Sequence, residues 1–377
     1  MNTFQRFLHA SLDEDVVSSL AVLAKRHDGC TILSQYLGGP SPSWPGQTII
    51  DDQTLFTLAS LTKLPTTVAV LQIVERQLLT LDADVSELLP VLGRQQILAG
   101  WNADGSPIFQ QRRNPITLRN LLTHSSGCGY DFSNPNLKRL RRFREDIGGS
   151  KPTIDEWFDQ PLLFEPGQGW EYGSGVDWAG KLVEKISGVS LEVYLRDHVW
   201  NPISASDFTF WPDASGSTNK IAALTHRNKY TGKLEASSEK IRINVGLEEC
   251  FGGHGGYCSA ADYMKLLFSL LVSDERILQA HSVELMFQDQ LSEESKRIFQ
   301  STFKSSKMGV GDFYPGEVYT WGLGGMIIEE AHGQRAPYTR GPRTLAWGGY
   351  TNQFWASHSF MYCLLFLSNL SSVHRPK

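Results

Sequence analysis

A β-type run, Leu55-Phe56-Thr57-Leu58, leads directly into Ala59-Ser60-Leu61-Thr62-Lys63 and the start of a predicted helix. Positions i and i+3 share one face of a helix, so the Lys63 amine can reach the Ser60 hydroxyl and, if desolvated, accept its proton. A serine hydroxyl is otherwise a poor nucleophile, and the spacing therefore predicts a lysine-activated serine. The alternative is a serine that caps the helix and a lysine that faces solvent.

The helix is predicted from Ser60 to about Leu79, because apolar residues recur at three- and four-residue spacing at Val68, Leu71, Val74 and Leu78. Ser60 would then lie at or near the N-cap. The helix dipole and the free backbone N–H groups at that position favour an attacking oxygen and its oxyanion.

Composition indicates an ordinary globular protein. The chain has 377 residues, of which 41% are hydrophobic and 20% charged, enough for one large domain or two intimate ones. A net charge of -5 with interspersed signs argues against nucleic-acid and membrane partners. The basic run at 138–144 is the exception. Because acidic residues follow it, a solvated helix face is favoured over a site for a carrier protein or a phosphate-bearing partner.

Neither a secretory leader nor a membrane span is recognised, so a cytosolic location is expected. The cysteines are scattered, lack metal-binding spacing and are interpreted as reduced thiols in or near the core: Cys30, Cys128, Cys250, Cys258 and Cys363. No metal and no cofactor is expected.

The pattern of elements predicts an α+β fold. Strands are expected at both ends of the chain, at 30–38, 54–58, 319–328, 345–349, 353–357 and 360–369, after an N-terminal helix at about 12–25. Helices are expected between them, at 118–122, 178–186, 191–199 and 263–271. This arrangement predicts an antiparallel sheet built from both chain termini (residues 1–80 and 290–377), flanked by helices, with a mostly helical inserted domain (81–289) and the active site in the cleft between them.

A second candidate for the chemistry is Tyr172, on a loop that follows Pro166-Gly167 and precedes a helix. A nearby ammonium favours the phenolate, so Tyr172 can share in deprotonating the nucleophile or in protonating a leaving group. The alternative is a buried tyrosine whose hydroxyl bonds the backbone.

Two histidine-containing segments are interpreted as structural. His124, in a helix end that runs into a turn, would duplicate Lys63 as a base and has Thr123 and Ser125 as local hydrogen-bond partners. The run 252–259 is interpreted as a flexible glycine loop, which lacks the Lys-Ser/Thr of a phosphate loop and in which His254 is a loop residue.

The end of a predicted strand, Trp347-Gly348-Gly349, provides a possible binding edge. Paired glycines let backbone approach a ligand closely, and an N–H group there, at Tyr350, can complete an oxyanion hole with the N–H of Ser60. The alternative is a simple tight turn.

These motifs occur in one order along most of the chain, and from about residue 10 to 370 the chain resembles the serine β-lactamase and penicillin-binding-protein superfamily, in its class C-like esterase branch. The stretches 172–180 and 347–349, with Asn352 and Trp355, resemble more closely the fungal acyltransferases that add the lovastatin side chain. The resemblance implies that Ser60 is acylated, that Lys63 and Tyr172 act as its base pair, and that backbone after Gly349 completes the oxyanion hole.

Departures from the superfamily pattern restrict the class of substrate that we expect. Trp347-Gly348-Gly349 replaces the usual Lys-Thr-Gly, which removes the cation that meets a β-lactam carboxylate, and Tyr172-Gly173-Ser174 replaces Tyr-x-Asn. Both changes favour a less polar acyl substrate. The expected binding residues are Trp321, Trp347, Gly348, Gly349, Asn352 and Trp355.

The sequence therefore predicts a serine acyltransferase that takes an acyl group from a thioester or ester and passes it through Ser60 to a small-molecule hydroxyl, in fungal secondary metabolism of the polyketide type. The donor would be a small molecule, a CoA thioester or an acyl-carrier protein. An ester hydrolase or lactonase of the same scaffold is the alternative, and a binding protein on an inactive enzyme fold is a third. Retention of Ser60, Lys63 and Tyr172 together argues against the last.

Overall fold

The structure is a computed structural model that describes residues 3–39, 48–145, 151–236, 244–305, 317–331, 341–350, 352–359, 361–368 and 370–371. The helices are α1 (Thr3–Asp13), α2 (Lys63–Glu75), α3 (Pro90–Gly93), α4 (Leu118–Leu122), α5 (Pro135–Phe143), α6 (Ile154–Trp157), α7 (Gly175–Ser187), α8 (Leu191–Leu195), α9 (Ala260–Val272), α10 (Ala280–Met286) and α11 (Glu293–Ser305). Short 3-10 segments occur at Ala59–Thr62, Asn201–Ile203 and Thr218–Lys220, and a π-helical turn at Arg196–Trp200.

The strands are β1 (Leu20–Arg26), β2 (Thr31–Leu37), β3 (Leu55–Thr57), β4 (Ile97–Trp101), β5 (Pro107–Gln110), β6 (Thr225–Arg227), β7 (Leu234–Ala236), β8 (Tyr257–Ser259), β9 (Glu317–Trp321), β10 (Met326–Ala331), β11 (Thr344–Gly349), β12 (Gln353–His358), β13 (Tyr362–Ser368) and β14 (Leu370–Ser371). The expected strand at 319–328 is two strands, since residues 322–325 form a turn between β9 and β10.

A seven-stranded sheet with the order β2-β1-β13-β12-β11-β10-β9 is the centre of the fold. Its strand pairs are antiparallel, and β1, from the start of the chain, pairs with β13, from its end. The predicted α+β architecture, with a sheet built from both termini, is confirmed.

The predicted N-terminal helix at 12–25 is wrong, because α1 ends at Asp13 and residues 20–26 form β1. Leu20 and Val22 pack in an apolar cluster with Leu8 of α1, whereas Ala21 and Leu23 belong to the main core. A strand covered on both faces reads as a continuous apolar run, which periodicity alone does not separate from a buried helix.

Helix α9 covers the inner face of the sheet. The Met264 sulfur lies 3.4 Å from the Cys363 sulfur of β13, and the Lys25 amine of β1 lies 4.8 Å from the centre of the Phe268 ring. Helix α9 comes from the part of the chain that was assigned to the inserted domain, and the predicted domain division stays a prediction.

Helix α2 lies inside the core, where every residue from Lys63 to Ile73 is buried. The predicted apolar stripe is therefore wrong, and so is the predicted end, since α2 stops at Glu75 and Leu78 is 55% exposed. The Thr66 and Thr67 hydroxyls bond carbonyls one turn back, which satisfies these polar groups without solvent.

None of the helices among the described residues combines the length and the hydropathy needed to span a bilayer.

Candidate active site

The turn that carries Ser60 connects β3 to α2. Ser60 is half-buried within the 3-10 segment Ala59–Thr62, and the N-cap of α2 is Thr62, so Ser60 lies near the N-cap and not at it. Ala59 has φ = 46°, a left-handed conformation that is unfavourable for a residue with a side chain. Such a turn directs the side chain that follows it away from the strand.

The end of β11 lies directly against this turn. A Cβ atom added to Gly349 would lie 2.8 Å from the Leu58 carbonyl oxygen, so only glycine allows the two backbones to approach so closely. The backbone around Gly349 and Tyr350 is thereby placed beside Ser60, where the sequence predicts the oxyanion hole. Tyr350 itself is 49% exposed.

Lys63 is buried at the first position of α2, one turn after Ser60. Its ammonium donates hydrogen bonds to the Gly253 carbonyl (2.6 Å) and to the Tyr130 hydroxyl (3.3 Å). In the described part of the chain it bonds these two oxygens and not the Ser60 hydroxyl. It also lies 4.8 Å from the centre of the Tyr172 ring. Lys63 and Tyr172 are thus close to each other, and Ser60 lies one turn before Lys63; their catalytic roles stay a prediction.

The Tyr172 hydroxyl is held by Trp347, whose indole nitrogen donates to it at 3.0 Å. An indole N–H can only donate, so the phenol oxygen accepts this bond and its own proton is directed elsewhere. The bond from Trp347 uses a lone pair of the Tyr172 oxygen and not its proton, and the proton is what a general acid or base exchanges.

His124 packs against Tyr172, with ring centres 4.4 Å apart. Burial, and then the positive charge of Lys63, lower the pKa of His124 well below its usual value. Its Nδ1 accepts from the Gly173 N–H at 3.3 Å, not from the expected Thr123 or Ser125. A neutral ring that supports the backbone next to Tyr172 agrees with a structural role, which stays a prediction.

The predicted binding residues fall into two groups. Trp321 and Trp347 are buried and lie against Tyr172, and their rings meet edge to face with centres 4.5 Å apart. Trp355 lies opposite Trp347 on β12 and is 1% exposed, so it packs within the core. Gly348 lies in β11 and Asn352 in the turn that follows, with φ = 57°.

The family model described as Beta-lactamase matches residues 6–371. The chain belongs to the β-lactamase family.

Two curated relatives of this β-lactamase-family chain differ in their named reactions. "Acyltransferase mokF" of Monascus pilosus is 38% identical over 305 residues, which cover 79% of this chain and 72% of the relative. "Lovastatin esterase" of Penicillium rubens is 36% identical over 306 residues, with coverage of 79% and 75%. Among solved structures, unliganded simvastatin synthase (LovD) from Aspergillus terreus matches with a TM-score of 0.86 and 31% identity, over 97% of this chain and 92% of that one.

Around Lys63, this β-lactamase-family chain has residues to which the sequence assigned no role. Tyr130 and Asp177 form a buried group with the backbone of Gly253. The loop at 252–256 was predicted to be flexible, yet its glycines are packed: a Cβ at Gly253 would lie 2.3 Å from Asp177 Oδ2. The available signal was a charged residue inside the apolar run 176–179, which marks a buried carboxylate that needs partners.

Proposed function

We propose that the chain is a serine acyltransferase that moves an acyl group from a thioester or ester donor, through an acyl-Ser60 intermediate, to a hydroxyl of a small hydrophobic acceptor of polyketide type. The observation that carries this proposal is the Trp347–Tyr172 hydrogen bond at the sheet edge. An indole at this position supports the phenol that acts on Ser60, and it offers an apolar surface instead of a cation to the substrate. The similarity to relatives named as acyltransferases supports the same reaction.

In the first half-reaction, the Ser60 oxygen attacks the acyl carbonyl carbon while Lys63 and Tyr172 take up its proton. A bond forms between the Ser60 oxygen and the carbonyl carbon, and the carbon–sulfur bond of a thioester, or the carbon–oxygen bond of an ester, breaks. The proton then passes to the leaving thiolate or alkoxide. The negative charge on the carbonyl oxygen would be stabilised by the N–H groups of Ser60 and Tyr350.

In the second half-reaction, the acceptor alcohol loses its proton to the same base pair and attacks the acyl-Ser60 carbon. The new ester leaves, and the proton returns to Ser60. Donor and acceptor thus use one site in turn, which is a ping-pong reaction. A CoA thioester and an acyl-carrier protein both carry the thioester that this chemistry needs, and we include both among the donors.

Ester hydrolysis is the second candidate, because a relative named "Lovastatin esterase" is nearly as similar as the acyltransferase. In that reaction water replaces the alcohol in the second half-reaction, and the first is unchanged. A lactonase would differ only in taking a cyclic ester as the donor.

Intact-protein mass spectrometry tests the proposal. Wild type and Ser60→Ala are mixed with a short-chain acyl N-acetylcysteamine thioester, and the adduct is then chased with water alone or with a panel of alcohols. A Ser60-dependent adduct that alcohols clear faster than water supports transfer, whereas clearance by water at the same rate favours the hydrolase. An adduct that persists in Ser60→Ala would contradict the assigned nucleophile, and no adduct or turnover with any donor would favour a binding protein.

A further inference from the structure

Asp177 is a fully buried carboxylate in the first turn of α7, close to Lys63. Its Oδ2 accepts from the Tyr130 hydroxyl at 3.0 Å, and its Oδ1 accepts from the Gly253 N–H at 2.8 Å. A buried charge is costly unless it is paired and hydrogen-bonded, so the fold at this point is arranged around it.

The same two residues, Tyr130 and Gly253, accept the hydrogen bonds of the Lys63 ammonium. The Tyr130 oxygen accepts from Lys63 while its proton goes to Asp177. The Gly253 carbonyl accepts from Lys63 while its N–H goes to Asp177. Tyr130 and Gly253 thus each connect the Lys63 ammonium to the Asp177 carboxylate. The two connections fix the ammonium from two directions.

The pKa shifts of Asp177 and Tyr130 agree with an ionised carboxylate that accepts a hydrogen bond from a protonated phenol. Burial alone would raise the pKa of Asp177, but the charges and hydrogen bonds of His254, Lys63 and the Gly253 N–H outweigh it, and the pKa lies below its usual value. Burial and the Asp177 charge raise the pKa of Tyr130 well above its usual value, so Tyr130 keeps the proton that it donates.

The far side of the carboxylate is also occupied. His254 Nδ1 lies 3.3 Å from Asp177 Oδ1, and the His254 side chain is 24% exposed. One turn further along α7, the Lys181 amine bonds Glu249, which fixes the segment that leads into the glycine loop. The loop therefore cannot move away from Asp177 without breaking ionic contacts at both positions.

We propose that Asp177 is a positioning residue, which holds the Lys63 ammonium in place for proton exchange with Ser60. This role rests on the proposed function, because it requires Ser60 as the nucleophile. The neutral amine of Lys63 is the form that takes the Ser60 proton. The product is the buried ammonium, which donates the two hydrogen bonds described above, and the Asp177 charge stabilises it. The titratable side chains that face the ammonium are Tyr130, Tyr172 and Asp177, with His124 and His254 behind them.

The test compares Asp177→Asn, which removes the charge at constant shape, with a matched control. Asp262 is also a buried carboxylate that accepts from two backbone N–H groups, those of Ser206 and Asp207, and Asp262→Asn makes the same change away from Lys63. Acyl-adduct formation is followed in single turnovers over a range of thioester concentrations and from pH 5 to 9, with circular dichroism and melting curves for each variant.

An opposite charge nearby stabilises the protonated amine that forms during acylation, so Asp177→Asn should lower the saturating acylation rate by roughly 10- to 1000-fold. The donor concentration for half-maximal rate should stay within about threefold. The acid limb of the rate profile should also differ from that of wild type, because a charge beside the groups that exchange the proton is removed. Asp262→Asn should leave both the rate and the profile as in wild type.

A folded Asp177→Asn protein with the wild-type rate and pH profile would overturn the proposal. A loss of acylation rate that is fully explained by the fraction of unfolded protein would overturn it as well. If this variant does not fold, Tyr130→Phe decides, since it removes one hydroxyl and keeps the ring. An unchanged rate in Tyr130→Phe then rejects the role, and a several-fold loss with a shifted acid limb supports it. Wild type and Ser60→Ala are run alongside: an adduct that survives Ser60→Ala rejects the nucleophile, whereas a Ser60-dependent adduct with normal Asp177→Asn kinetics rejects only this inference.

Discussion

Replacement of Trp347 by phenylalanine removes one hydrogen bond from the active site and keeps an aromatic ring in its place. The indole N–H lies 3.0 Å from the Tyr172 oxygen, and Trp347 is buried between Tyr172 and Trp321. In the proposed mechanism this bond contributes most while Tyr172 takes part in moving the Ser60 proton, because the phenol oxygen then carries negative charge.

The size of the effect follows from this geometry. A hydrogen bond to a charged group contributes about 1.5–3 kcal/mol, and each 1.4 kcal/mol corresponds to about tenfold in rate. Acylation by Trp347→Phe should therefore be slower by about 10- to 150-fold. The smaller ring also leaves space in the core, and we expect a separate loss of about 1–3 kcal/mol in the free energy of unfolding.

Trp355 provides the matched control for this measurement. It pairs with Trp347 across the two strands and is equally buried, but among the described residues its indole N–H has no hydrogen-bond partner. Trp355→Phe should therefore lose stability and keep its acylation rate. The assay is single-turnover acyl transfer by intact mass, beside urea unfolding. Equal losses of rate in the two variants would refute the reasoning, since packing and not the hydrogen bond would then explain both.

Three further outcomes are expected. Gly173→Ala places a Cβ 2.0 Å from the Cys128 carbonyl oxygen, so the loop that carries Tyr172 must move. If Tyr172 acts as proposed, this variant should lose about 1–3 kcal/mol of stability and most acylation, whereas Gly100→Ala, whose added Cβ would have nothing within 4 Å, should lose neither. Burial raises the pKa of Glu171, so its ionisation destabilises the folded state as pH rises from about 4.5 upward. In urea unfolding, the free energy of unfolding of Glu171→Gln should match that of wild type at pH 4 and exceed it at pH 7. A difference that is the same at both pH values would contradict this. A thiol reagent should label the folded protein only at Cys30, since the other four cysteines are buried, and Cys30→Ser should abolish the fast reaction.

Much of the sheet and part of the site were predictable because they depend on local patterns. The strands after residue 340 alternate or run apolar over five to seven residues and were placed within about two residues of their observed ends. Ser60 and Lys63 are three residues apart, so their shared position follows from helix geometry alone. Helix α2 was less well predicted, because a helix buried on all sides has no polar face and its sequence therefore shows no 3.6-residue alternation of polar and apolar residues.

The surroundings of Lys63 were beyond prediction for a different reason. Its hydrogen-bond partners are 67 and 190 residues away in sequence, and one of them is a backbone carbonyl, for which residue identity gives no signal. Asp177 is near in space because α7 packs beside α2 and α4, and Gly175 allows an approach to the Leu121 backbone of α4 that a Cβ would prevent. Single-sequence patterns carry no information about such tertiary packing.

The pairing of β1 with β13 has a consequence for how the protein is made. Leu20 of β1 is aligned with Ser368 of β13, so two neighbouring strands inside the sheet come from distant parts of the chain. Contacts of such sequence separation form slowly, because the loop that they close must be ordered first. During translation β1 has only β2 as a neighbour in the sheet, and its other edge stays open until β13 emerges. The strand whose end lies beside Ser60, β11, follows it at a similar separation in sequence, so during translation Ser60 emerges long before the strand that completes its surroundings.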